Sequence, residues 1–160
     1  MKRHTTRTIG LSLLVALAGT FAWAVAAKFH SAVSFVNNSG ALVVSFDERG
    51  LGDENIDYTL NANATALYAC INKGGHNPDA SNKQQFEGQV SGGFSIEPKN
   101  GRVVESITIA PLAAPSFTCP GGQRRVLADV TYTSIVLTDT TNDTSVNVAD
   151  ASRVLVAIPD

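Results

Sequence analysis

The chain has 160 residues, of which 44% are hydrophobic and 16% charged, and its formal net charge is −2. That length holds one domain plus a targeting segment, and the apolar content excludes a disordered chain, which would combine low hydrophobicity with high charge. A mildly acidic balance, with Arg124–Arg125 as the only adjacent basic pair in the body, excludes nucleic acid and anionic membrane surfaces as expected partners.

Residues 1–27 read as a signal peptide. Lys2, Arg3 and Arg7 bring positive charge with no acid, and Ile9 to Leu17 is almost continuously apolar. Ala22-Trp23-Ala24-Val25-Ala26-Ala27 then supplies small side chains at alternate positions. This is the order of a secretory signal, with cleavage after Ala26 or Ala27. The competing reading is an uncleaved anchor, since Ile9 to Ala27 is just long enough to span a bilayer. Its Ala-rich composition, with Gly10, Gly19 and Thr20, favours cleavage. Thr20 also stands where a lipobox would need Cys, so no lipid anchor is expected. The mature domain, residues 28–160, keeps nine basic and fourteen acidic side chains, a net −5. It is expected to be secreted and extracellular, without a stable membrane anchor.

Beyond the signal, apolar residues recur at every second position, which places them on one face of extended strands. Ser31–Val36 is a short first candidate. Leu42, Val44 and Phe46 share one face of the next, with Ser45 opposite. Ile56, Tyr58, Leu60, Ala62, Ala64, Ala66, Tyr68 and Cys70 form the longest series. Asp57, Thr59, Asn61, Asn63 and Thr65 lie opposite, the pattern of a half-buried antiparallel strand. Ala62 to Ala69 has some helical propensity, but Asn63, Thr65 and the unbroken alternation predict a strand. Gln84–Val90 follows, then Val103, Ile107 and Ile109, a series broken by Glu105. Between Val126 and Asp139, Val130, Tyr132 and Val136 share one face while Ile135 and Leu137 share the other. That predicts a strand buried on both sides or bent by a bulge. Arg153–Ile158 is the last candidate.

Turn residues separate these runs: Asn37-Asn38-Ser39-Gly40, Arg49-Gly50-Leu51-Gly52, Lys99-Asn100-Gly101 and Thr141-Asn142-Asp143. Asn100-Gly101 is the strongest hairpin signal, because both residues tolerate positive φ. Seven or eight strands so spaced predict an all-β antiparallel β-sandwich, with Ig-like topology the leading variant and a small β-barrel the alternative. Asn72 to Lys83 and Pro111 to Arg125 are the long irregular stretches.

Cys70 and Cys119 each end a strand-like run and enter a Gly-Gly loop. In an exported protein such a lone pair is expected to form a disulfide. A nucleophilic or metal-binding pair would need partners that the sequence does not supply. The acids Asp47, Glu48, Asp53, Glu54 and Asp57 cluster around a Gly-containing loop. Asp47, Asp53, Glu54 and Asp57 are the candidate ligands for Ca²⁺, the only cofactor considered, since hard oxygens suit it. The spacing is not that of an EF-hand and Arg49 interrupts it, so a solvated turn is the simpler reading. His76, in Gly74-Gly75-His76-Asn77-Pro78-Asp79, is the loop candidate for a catalytic base. No G-x-S-x-G or H-E-x-x-H supports a catalytic assignment. Phe46, Tyr58, Tyr68 and Tyr132 offer a sugar-binding platform, although their alternation fits a core better. Asn37, Asn63 and Asn142 begin glycosylation sequons, which matter only in a eukaryote.

The run Gly50-Leu51-Gly52, Tyr58-Thr59-Leu60-Asn61-Ala62 and Cys70-Ile71-Asn72-Lys73-Gly74-Gly75-His76-Asn77-Pro78 resembles a group of small secreted bacterial β-sandwich proteins with no assigned activity. The resemblance implies secretion and a β fold, and brings no catalytic residues with it. The expected function is therefore non-enzymatic: binding of a surface, a matrix or a partner, whether protein or carbohydrate. The alternative is a small secreted hydrolase or carbohydrate-binding module using the His76 loop. A third reading, completion of the sheet by a partner's strand, would be marked by long unpaired edge strands.

Overall fold

Each alternating series becomes a strand because it can turn its polar side to water and its apolar side to a second sheet. The computed structural model describes residues 26–72 and 82–158. Residues 1–25, most of the expected signal over 1–27, and the loop carrying His76 lie outside the described residues. The described chain forms β1 (Lys28–Val36), β2 (Leu42–Arg49), β3 (Ile56–Asn72) and β4 (Lys83–Ile96). These are followed by β5 (Arg102–Ile109), β6 (Gln123–Asp139), β7 (Thr144–Val148) and β8 (Ala151–Val154).

Two antiparallel sheets pack face to face, as a β-sandwich requires. The smaller has the order β1-β2-β5; the larger runs β4-β3-β6-β7, with β8 also pairing β6. Between them lie Leu42, Val44 and Phe46 of β2, Tyr58, Leu60 and Ala62 of β3, and Val130, Tyr132, Ile135 and Leu137 of β6. The Phe46 and Tyr58 rings meet across the sheets with centroids 4.9 Å apart. Tyr132 satisfies its buried hydroxyl by donating to the Gly40 carbonyl at 2.7 Å.

The double phase seen between Val126 and Asp139 comes from a bulge. Pairing of β3 with β6 shifts between Asn61↔Val136 and Asn63↔Thr133, so Ser134 and Ile135 together face Ala62. Ser134 takes a φ of 51°. Before the bulge Ala128, Val130 and Tyr132 are buried; after it Ile135, Leu137 and Asp139 are. The extra residue swaps the inward face from even to odd positions.

The hairpin turn at Asn100 and Gly101 has the expected positive φ, 54° and 70°. Two departures have simple causes. β4 runs to Ile96 rather than Val90, because Gly92 and Gly93 continue the strand. At Gly92 a Cβ would come within 2.7 Å of Ile109, so glycine lets β4 approach β5 closely. β7 escapes sequence detection because Thr144–Val148 is short and polar, and it pairs only with the end of β6.

A disulfide joins Cys70, at the end of β3, to Cys119, with Cα atoms 5.6 Å apart. It anchors the connection between β5 and β6, which also accepts a hydrogen bond from the Tyr68 hydroxyl at Leu112 O, 2.8 Å away. Phe117 packs edge-on to Phe86 of β4. Replacing both cysteines with Ser is expected to preserve the fold and cost about 2–5 kcal/mol in chemical denaturation. Intact mass without reductant should show a two-hydrogen deficit, and alkylation of both thiols in unfolded, unreduced protein would refute the bridge.

Candidate functional site

The acids that cluster in sequence separate in space. Asp47 lies on the outer face of the smaller sheet, where Arg102 clasps it through two N–H···O contacts of 2.8 and 2.7 Å. Arg49 adds a contact of 2.8 Å. These guanidiniums, Arg102 first, hold the Asp47 carboxyl well below the usual carboxylate range. Asp53 and Glu54 are exposed in the β2–β3 loop, and Asp57 is exposed at the start of β3. Among the described residues, no three His, Cys, Asp or Glu side chains gather as a metal site would require. Millimolar Ca²⁺ is accordingly expected to leave the melting temperature unchanged. A rise that disappears on changing Asp53 and Asp57 to Asn would restore the calcium reading.

The aromatic residues considered for a sugar platform belong to the interior instead. Phe46, Tyr58 and Tyr132 are buried between the sheets, and Tyr68 is half-buried beneath Arg125, whose guanidinium carbon is 5.8 Å from the ring centroid. Burial pushes the Tyr132 hydroxyl up to about 12. His30 is exposed on β1.

The fifth acid of the cluster, Glu48, goes to the interior. It has no exposed surface, and neither does Asp139 of the facing sheet. Tyr58 donates its hydroxyl to Glu48 Oε2 at 2.8 Å, while Glu48 Oε1 has no hydrogen-bond partner. Asp139 caps the turn after β6, accepting from the amides of Thr141 and Asn142 and from Asn142 Nδ2 at 2.7–2.9 Å. Glu48 was read with the solvated acidic loop and Asp139 only as the end of a strand, yet parity places both inside. Glu48 continues Leu42, Val44 and Phe46, and Asp139 continues Ile135 and Leu137.

The sheet edges supply the other candidate site. The outer edge of β1 is covered, since Ser34 Oγ donates to the Ala149 carbonyl and Arg153 Nη1 to the Val36 carbonyl. β7 and β8 have only five and four residues. β5 carries Glu105 in register with its buried residues, an inward charge of the kind that guards an edge. β4 differs. Its fourteen residues pair with β3 in unbroken register, with no bulge and no proline, and its only charges are Lys83 and Glu87. Among the described residues, no strand pairs with its other side.

Next to this edge the two sheets part. Phe94 and Ile96 of β4 and Ile107 of β5 line an open cleft of about 640 Å³, with Glu97 and Glu105 on its rim. The other half of β4 is covered on its inner side by Leu112 and Phe117, against Gly88 and Phe86. Ser95, Ser106 and Thr108 also line the cleft, which thus combines apolar side chains with hydroxyls and two acids and runs beside a row of backbone hydrogen-bonding groups. Such an arrangement can hold an extended polypeptide. No helix among the described residues is long and apolar enough to cross a membrane. No family model, curated protein or solved structure matches the chain.

Proposed function

We propose that the chain is exported by cleavage of its signal and that the mature domain is a non-catalytic extracellular binding module. Its partner is an extended polypeptide segment, added as a strand along β4. The observation that carries this reading is the contrast among the sheet edges of the described residues: four are short, covered or charged, and β4 alone is long, regular and unguarded. Exposed backbone N–H and C=O groups of a regular edge supply affinity, and side-chain pockets beside it supply specificity. Here Phe94, Ile96 and Ile107 favour alternate apolar side chains in the segment. Glu97 and Glu105 favour a Lys or Arg where the segment leaves the cleft.

A second reading has its own support. The outward face of β3 carries Thr59, Asn61, Asn63 and Thr65, and a hollow of about 230 Å³ over the bulge is lined by Asn61, Asn63, Gln89, Ser91 and Ser134. This uncharged surface of amides and hydroxyls suits a neutral polysaccharide. Binding to insoluble glycans that is lost in Asn63→Lys, with β4 variants unaffected, would favour it over strand addition.

Selection from a displayed library of extended peptides tests the leading reading. Bound peptides are expected to alternate apolar residues and to slow amide exchange along Val90–Ile96. Gly93→Lys places a charge on that edge where an added Cβ meets nothing within 4 Å. It should keep the melting temperature and lower affinity at least tenfold. Peptides that bind without protecting β4 would overturn the proposal.

A further inference from the structure

Burying a carboxyl group is costly unless donors or a cation compensate for its lost hydration. Asp139 has three N–H donors from the turn that follows it. Glu48 has the Tyr58 hydroxyl on one oxygen and nothing on the other. On either side in the smaller sheet its register neighbours are Phe29 of β1 and Val103 of β5, both apolar. From the larger sheet, Tyr58 of β3 and Asp139 of β6 are the groups that act on it, and no cation is among them. Arg49 and Arg102 are committed to Asp47 on the opposite face of the sheet. Two fully buried acids from opposite sheets thus meet around one tyrosine, for Tyr58, whose hydroxyl reaches Glu48, is the register partner of Asp139.

We propose that Glu48 keeps a proton that it donates toward Asp139, forming a proton-gated latch that joins the two sheets at this end of the sandwich. With the proton on Glu48, its hydroxyl donates to Asp139, and the contact between acids becomes a hydrogen bond across the interface. Without it, two buried anions face each other with only the Tyr58 hydroxyl and the 141–142 turn to satisfy them. Repulsion then loosens the sheets locally. The Glu48 carboxyl is pushed up to about 7, chiefly by burial, with the Tyr58 hydrogen bond opposing and Asp139 reinforcing the rise.

The direction of the pH dependence follows from this. Between the ordinary glutamate range, near pH 4.5, and about pH 7, the folded chain keeps a proton that the unfolded chain has released. Stability therefore falls as pH rises through that window and levels off above it. The latch belongs to the fold itself and stands whether or not β4 receives a strand.

Urea denaturation from pH 5 to 8.5, together with ¹³C titration of the side-chain carboxyls, tests the latch. In the wild type the folding equilibrium constant should fall by up to tenfold per pH unit between pH 5 and 7. One glutamate carboxyl should titrate near pH 7 and disappear from the spectrum of Glu48→Gln. That variant, whose amide can donate to Asp139 and accept from Tyr58 at every pH, should lose the slope. Asp139→Asn, which removes the neighbouring charge, should move the Glu48 midpoint downward. The wild-type titration needs no variant to fold. A Glu48 midpoint below pH 5, or the same slope in wild type and Glu48→Gln, would overturn the proposal.

Discussion

β3 and β6 are each seventeen residues long and pair along almost their whole lengths, and the position of every functional feature descends from that ladder. β4 hangs on one side of β3, and β7 and β8 share the far side of β6. An uninterrupted pairing of this length would point Val130 and Tyr132 inward and then carry Ile135, Leu137 and Asp139 outward. The bulge at Ser134 prevents this by inserting one residue. The strand then buries both halves against the same smaller sheet. Its cost is a residue at φ 51° and a hollow on the outer surface; its gain is a continuous core from Val130 to Leu137.

The same parity makes much of the fold legible in the sequence. Alternation of apolar residues was enough to place the inward faces of β2, β3 and β5, and the break in phase announced the bulge in β6. The expected export and an even cysteine count were enough to expect the bridge between Cys70 and Cys119. The candidate sites were harder to read, for a physical reason. Residue type suggests exposure, so Asp47, Glu48, Asp53, Glu54 and Asp57 look alike as a charged loop. Strand geometry then sends Asp47 and Glu48 to opposite faces, one to two arginines and the other to a tyrosine and an acid. Following parity one step beyond Phe46 and Leu137 would have found the buried pair. No comparable signal marks the edge of β4. Which strand ends a sheet depends on pairing across the whole chain, and Gly92 and Gly93 disguise the strand's second half as a turn.

Glu105 shows how the two edges of the parted sheets differ. On β5 it interrupts a run of Val103, Ile107 and Ile109 with a charge in the inward register, which makes close docking of another apolar strand there unfavourable. Across the cleft, Phe94 and Ile96 have no such neighbour on their own strand until Glu97, after the strand has ended. Under the proposed strand addition, the asymmetry would direct an incoming backbone to β4 and leave Glu105 facing its side chains. A domain that merely needed protection from aggregation would be expected to guard both edges.

The latch and the cleft are also linked through the ladder. Tyr58, which holds Glu48, is paired with Phe94, and Glu48 is paired with Val103 in the strand that bounds the cleft on its other side. Each connection spans a single inter-strand spacing of about 4.8 Å. β4 also meets β5 directly, where Gly92 lies against Ile109, so the two lips of the cleft are set by that contact as well as by the ladder. The Tyr58 hydrogen bond favours the ionised form of Glu48, so the proton of the proposed latch acts on the contact between Glu48 and Asp139 and leaves the one between Tyr58 and Glu48 in place.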